Sequence, residues 1–388
     1  MRRYAGQSRL WITLEARAAD PAGFRDDRRT VSNAEPLPDN SDDVAAARLE
    51  HVELCAANVQ RLRGQLVSAP IGRLRLIDAS DDADLPWNRL RQGSFVTCDP
   101  SALEHEERLI LTALAMEAVA QEPRIYAHDT ARAVWRLAAI GQQNELVEFA
   151  RPPRGTGRSP QARRRRTAFA PKVVDIGGLR VTDLDRTVID RARYASLESA
   201  IAMCDEALRL TLLEQPEVLA QVRELPRRAR GCRMAELTLL LADARSESPL
   251  ESLSRVRMFQ LGLPMPELQV KFYDASGFIG RVDFFWPELG IIGEADGRLK
   301  FRVADGLRGD EAEEAVWRAK RRDDRLLRHP DVRKVGHWDW GEALNAYQFV
   351  QVMADLGVRP VPDGGWPIPE GPLPRKSRHL SVIERHTR

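Results

Sequence analysis

The sequence is poor in the residues that declare a chemistry by themselves. Its four cysteines, Cys55, Cys98, Cys204 and Cys232, lie far apart with no C-x-x-C spacing. That argues against a disulfide framework or a cysteine-held zinc ion, and for isolated thiols in a reducing cytosol. Aromatic residues make up only 6% of the chain, too few for a base-stacking platform along single-stranded nucleic acid. No apolar run approaches the roughly 20 residues of a membrane span. The first residues, MRRYAGQSRLWITLEARAAD, are too charged for a signal-peptide core. The expectation is a cytoplasmic protein with no membrane partner. Net charge is only +2, so this is not a polybasic tail protein. No Ser/His/Asp set suggests a hydrolase triad.

What is present fits a globular protein of two or three domains: 388 residues, 43% hydrophobic and 30% charged. The charge is distributed unevenly, and the local runs carry the information. Residues 1–44 end in a polar, Asp- and Pro-rich stretch without periodicity, expected to be a flexible arm. A helix follows, with Leu49, Val52, Ala56, Val59, Leu62 and Leu66 at helical spacing, then a short strand in SFVTC. Residues 101–121 read as a helix, with Ser101 as cap and Glu104 in a capping box. A second helix, DTARAVWRLAAIG, is expected to end at Gly141. Residues 151–166, RPPRGTGRSPQARRRR, hold seven arginines and no acid. Their Pro and Gly predict a basic loop. A helical pair follows in LDRTVIDRARYASLESAIAMCDEALR. Within it Arg186 and Asp190 stand one turn apart, the spacing of an ion pair on a solvated face. The last unit reads helix, three strands, helix, strand, helix, and the tail from 358 to 388 is rich in Pro and Gly.

Within that unit GRVDFFWPELGIIGEADGRLK sets Asp283, Glu294 and Asp296 inside two apolar runs. Buried carboxylates require a positive partner. Strand alternation puts Asp283 on one face with Phe285 and sets Val282, Phe284 and Trp286 on the other. Glu294 and Asp296 share a face of the next strand. If the strands are neighbours, the three carboxylates converge, with Glu251 on the helix upstream. Such oxygen ligands suit Mg²⁺ or Mn²⁺. The alternatives are a nearby lysine, or solvation and pairing with Arg281 and Arg298.

The order helical Glu, strand Asp, then Glu-x-Asp-Gly, followed by KRRDDRLL on a helix and VRKVGHWDW on a strand, resembles the PD-(D/E)XK nuclease superfamily. More narrowly it is similar to very-short-patch-repair-like endonuclease domains, over about residues 246–345. The resemblance implies that Glu251, Asp283 and Glu294 bind Mg²⁺ or Mn²⁺. It also implies that a positive group orients the attacking water. The usual lysine two residues after the Glu is Asp296 here. Lys300, Lys271 and Lys320 are the candidate substitutes, and Asp283, Glu294, Asp296 and Lys300 form the candidate catalytic set.

The front half carries a second resemblance. IYAHDTARAVWRL, with His128, Thr130 and Ala131, is followed by GLRVTDLDRTVID and DEAL. These resemble actinobacterial proteins of the AbiEi antitoxin type, in which a winged-helix region binds DNA. That implies a degenerate winged-helix-like region at 45–100 and an antitoxin-like α/β domain at 101–240, ahead of the nuclease-like domain at 246–357. Arg154, Arg158, Arg163, Arg164, Arg165 and Arg166 are candidate contacts to a nucleic-acid backbone. The expected fold is thus α+β and multidomain, with a C-terminal αβββαβ core. The expected function is DNA binding with metal-dependent phosphodiester hydrolysis or nicking. The alternative is a non-catalytic antitoxin or transcriptional regulator with a cognate toxin as partner.

Overall fold

The structure is a computed structural model and describes residues 41–67, 88–91, 94–120, 122–141, 145–151, 162–166, 171–226, 229–296, 309–370 and 373–374. The expected arm therefore lies outside the described residues up to residue 40. Its last residues do not belong to it, because α1 (Ser41–Arg63) begins at Ser41. Asp42 and Asp43 stand in the first turn of that helix, where negative charge meets the helix dipole favourably. The helix buries Val44, Cys55, Val59 and Leu62, while Leu49 is 70% exposed. Val52, Ala56 and Leu66 pack against the same core, so of the expected stripe Leu49 alone departs. Beyond α1, the strands β1 (Asn88–Arg91) and β2 (Ser94–Val96) form a small antiparallel ribbon.

The helix expected at 101–121 begins later, as α2 (His105–Glu117). Ser101 instead sits in a 3-10 turn capped by Asp99, and the reciprocal capping box joins Glu104 and Glu107. After β3 (Ile125–Tyr126) comes α3 (His128–Val134), which stops well before Gly141. Arg136, just beyond it, has φ +54° and cannot continue a right-handed helix. Next come β4 (Val147–Arg151), β5 (Ala162–Arg166), β6 (Val173–Ile176) and β7 (Leu179–Thr182). These make a five-stranded sheet in the order β5-β4-β3-β7-β6. Four helices follow: α4 (Leu184–Tyr194), α5 (Leu197–Arg209), α6 (Gln215–Glu224) and α7 (Cys232–Leu241).

The last part runs α8 (Pro249–Gln260), β8 (Glu267–Asp274), β9 (Gly277–Trp286), β10 (Ile291–Ala295), α9 (Gly309–Leu326), β11 (Lys334–Trp338), α10 (Trp340–Leu344) and α11 (Ala346–Leu356). Ser248 caps α8 and Pro249 occupies its first turn, the usual chemistry of a helix start, with the cap contributing about 1 kcal/mol. The sheet order is β11-β10-β9-β8. The β8–β9 and β9–β10 pairs are antiparallel, and the β10–β11 pair is parallel across α9. Phe284, Trp286, Trp338, Leu253, Phe349 and Met353 build one core; Phe272, Val282, Phe285, Ile292 and Leu326 build another. The chain is therefore mixed α+β.

Two buried ion pairs cross from the front helices to α8. Asp205 on α5 meets Arg255 at 3.0 Å and Ser252 Oγ at 2.7 Å. Glu198 on the same helix meets Arg257 at 2.7 Å. Arg255 also donates to the carbonyl of Leu241, and Arg257 to that of Ala343. Burial pushes the Asp205 carboxyl up to about 6 even with Arg255 beside it. Breaking such a pair leaves an uncompensated buried charge, a loss of about 3–5 kcal/mol.

Candidate active site

The carboxylates named from the sequence come from three elements. Glu251 lies in the first turn of α8 and is buried. Its Oε2 accepts from the Glu247 amide at 2.9 Å, and its Oε1 from Ser248 Oγ at 2.8 Å. Asp283 lies on β9, where its Oδ2 accepts from the Ala295 amide of β10 at 2.9 Å. Glu294 lies on β10, 6% exposed.

The charge of Asp283 acts on both neighbours. Glu251 is raised above its ordinary range, first by burial and then by Asp283. Glu294 is raised to about 7, first by burial, then by Asp283, with Arg322 pulling the other way. Two mutually repelling, poorly solvated carboxylates explain both directions. Asp283 does not follow the expected alternation. Val282 packs with Phe272, Ile292 and Leu326, whereas Phe284 and Trp286 pack in the other core. The inward and outward sides therefore exchange at Asp283.

Among the described residues the positive partner of Glu294 is an arginine, not Lys271 or Lys320. Lys271 and Lys320 are both exposed, and Lys320 lies over the Trp317 ring. Lys300 and Arg298 lie outside the described residues. Arg281 pairs with Glu247 instead. Arg322 on α9 donates to Glu294 Oε1 at 2.7 Å and to the Arg281 carbonyl at 2.7 Å. Gly280 makes the approach possible: a Cβ there would stand 2.5 Å from Arg322 Nε.

Asp296 belongs to a different set. The parallel β10–β11 register places Glu294 opposite His337. His337 Nδ1 lies 2.7 Å from Asp296 Oδ2, and Nε2 lies 3.0 Å from Asp323 Oδ2. Held between two carboxylates, the imidazole is raised to about 10 and is protonated at neutral pH. Sequence reading named neither Arg322, His337 nor Asp323, because their approach depends on the α9 crossover and the strand register. It also missed Gln269 on β8, whose Nε2 reaches Glu251 Oε2 at 2.9 Å and Asp283 Oδ1 at 3.4 Å.

Among the described residues, no group of three or more His, Cys, Asp or Glu stands ready to hold a metal ion. The donor chemistry nevertheless fits a hard divalent cation: carboxylate oxygens of Glu251 and Asp283, linked through an amide.

The arginine segment is not a loop throughout. Arg163, Arg164, Arg165 and Arg166 lie on β5, the edge strand paired in parallel with β4. The backbone pairing with β4 overrides the turn-forming composition just before it. Arg163 does have an acid nearby: its guanidinium lies 3.8 Å from buried Glu148, which faces it across the strand pair. Arg154 and Arg158 lie outside the described residues. Arg186 and Asp190 do pair, at 2.8 Å, but Asp190 is buried rather than on a solvated face. Arg193 and His128 also approach Asp190. Among the described residues no helix is long and apolar enough to cross a membrane.

No protein-family model and no solved structure matches the chain. It is similar to the uncharacterized proteins MT2308 and Rv2248 of two Mycobacterium tuberculosis strains, 38% identical to each over 108 residues. The match takes in 28% of this chain and 40% of each relative, so the chain spans about two fifths of the length of the curated relatives it matches.

Proposed function

We propose that the unit from α8 to α11 binds a divalent cation and hydrolyses DNA phosphodiesters. The observation that supports this most is the meeting of Glu251 and Asp283 on the Gln269 amide, at 2.9 Å and 3.4 Å, with Glu294 on the adjacent strand near enough to be raised by Asp283. Perturbed carboxylates that come together in this way are a mark of functional sites. Glu251 and Asp283 would hold Mg²⁺ or Mn²⁺. Such an ion supplies a Lewis acid for the scissile phosphate and an acidified water.

Glu294, held near 7, is matched to accept a proton at neutral pH. Arg322 keeps its carboxylate oriented and would offer its positive charge to a phosphate. Asp296 is a positioning residue in this reading, fixed by protonated His337. Arg163, exposed on its edge strand, would be one of the expected backbone contacts. The test is nicking of supercoiled plasmid in Mn²⁺ and in EDTA, with Asp283→Ala beside the parent. Cleavage that needs both metal and Asp283, with DNA binding retained in the variant, is the expected result. Folded, pure protein that cleaves nothing would overturn the proposal.

The Asp296–His337–Asp323 network favours a second reading. It fills the place where the resembling nucleases carry their lysine, as it would in a non-catalytic regulator that binds operator DNA or a cognate toxin. Specific, metal-independent binding to its own promoter, without nicking, would select that reading.

A further inference from the structure

Gln269 has two peculiarities that coincide in space. It takes φ +55° inside strand β8, a left-handed conformation that a side-chain-bearing residue adopts at a cost of about 1–2 kcal/mol. It also marks the place where the inward and outward sides of the strand exchange. Leu268 packs in the core with Phe284 and Trp286, whereas Val270 and Phe272 pack in the core with Val282 and Leu326. Leu268 pairs with Phe284 and Val270 with Val282, so Gln269 and Asp283 lie side by side and slip together. The slip turns both side chains toward Glu251. The carboxamide nitrogen then reaches both carboxylates, at 2.9 Å and 3.4 Å.

A carboxamide is a donor at one end and an acceptor at the other. Turning it by half a rotation about its last torsion exchanges Nε2 for Oε1 with little steric change. That rotation would set a third oxygen between the Glu251 and Asp283 oxygens. Among the described residues no third His, Cys, Asp or Glu joins Glu251 and Asp283 in a ready-made metal group; an amide oxygen supplies a third donor suited to a hard cation. We infer that Gln269 is a ligand of the divalent cation, bridging the two carboxylates through its nitrogen before the ion enters and turning its oxygen to the ion afterwards. This rests on the cation-binding reading above.

The test uses the full chain and Mn²⁺ alone, without DNA, with free Mn²⁺ followed by its paramagnetic resonance signal. Gln269→Leu and Gln269→Gly should weaken binding on the order of 10-fold or more, and Gln269→Glu should tighten it. Gln269→Gly also removes the left-handed strain, so its thermal midpoint should equal or exceed the parent's. A well-folded Gln269→Gly protein that binds Mn²⁺ with parental affinity would refute the ligand role, while loss of binding in Asp283→Ala would still uphold the cation site. If the parent binds no more Mn²⁺ than Asp283→Ala, the cation reading itself falls and takes this inference with it.

Discussion

Replacing Asp283 with asparagine removes one negative charge while leaving an oxygen to accept the Ala295 amide. Its effect on Glu294 can be worked out. The folded carboxyl of Glu294 titrates near 7 against an ordinary 4.5. At about 1.4 kcal/mol per pH unit of difference, holding this group in the fold costs at most about 3.5 kcal/mol once it is ionised. The sign follows from the raised value. Below pH 4.5 both the folded and unfolded chains are protonated, and no penalty applies. Between 4.5 and 7 the unfolded chain releases its proton first, so stability is lost as pH rises through that window. Burial is the largest cause and stays in the variant; Asp283 comes second. Its removal should recover on the order of 1 kcal/mol, about 2 °C in melting temperature for a chain of this size. Glu251, also raised by Asp283, adds in the same direction. Thermal melts of parent and Asp283→Asn at pH 5 and pH 8, without metal, give the measurement. The variant should lose less stability than the parent on going to pH 8. Parallel pH profiles would mean that Asp283 does not act on Glu294, and the electrostatic case for the site would go with it.

Further expectations follow from the ion pairs of His337, Asp205 and Arg325. The His337 ring should remain protonated through neutral pH in a nitrogen NMR titration and titrate near 10. Its contribution to stability is therefore complete below pH 6.5 and lost as pH rises toward 10, and Asp296→Asn with Asp323→Asn should bring the transition down. Asp205→Ala should cost about 3–5 kcal/mol by leaving Arg255 buried without its carboxylate. Arg325→Ala, which breaks the exposed pair with Asp274, should barely move the melting temperature; equal losses would show that burial gives the α5–α8 pair no greater weight than an exposed one.

Much of the last unit is legible in the sequence because its signals are local. Ser248 and Pro249 mark the start of α8, and alternating apolar residues mark β9. Glu251, Asp283 and Glu294 could be placed because each sits on an element whose limits the local sequence marks. What escaped depends on pairing across the chain. Arg322 reaches Glu294 only because α9 crosses β9 over a glycine, and His337 meets Asp296 only through a parallel register that no local pattern encodes. The exchange of sides at Gln269 and Asp283 breaks the period-two rule itself, so counting alternate residues assigned Val282 to the wrong face. The β5 arginines were read as a loop because Pro and Gly just before them spoke louder than the strand they join.

The buried pairs between α5 and α8 also bear on how the chain is made. Asp205 and Arg255 are 50 residues apart. At a synthesis rate of about 5–20 residues per second, α5 leaves the ribosome roughly 3–10 seconds before its arginine partners. During that interval Glu198 and Asp205 face water, which suits carboxylates, while Leu197 and Ile201 on the same helix await Val256 and Phe259 of α8. The later arrival of Arg255 and Arg257 then closes the seam. A nascent chain stalled in between would carry two unpaired acids beside that uncovered apolar surface.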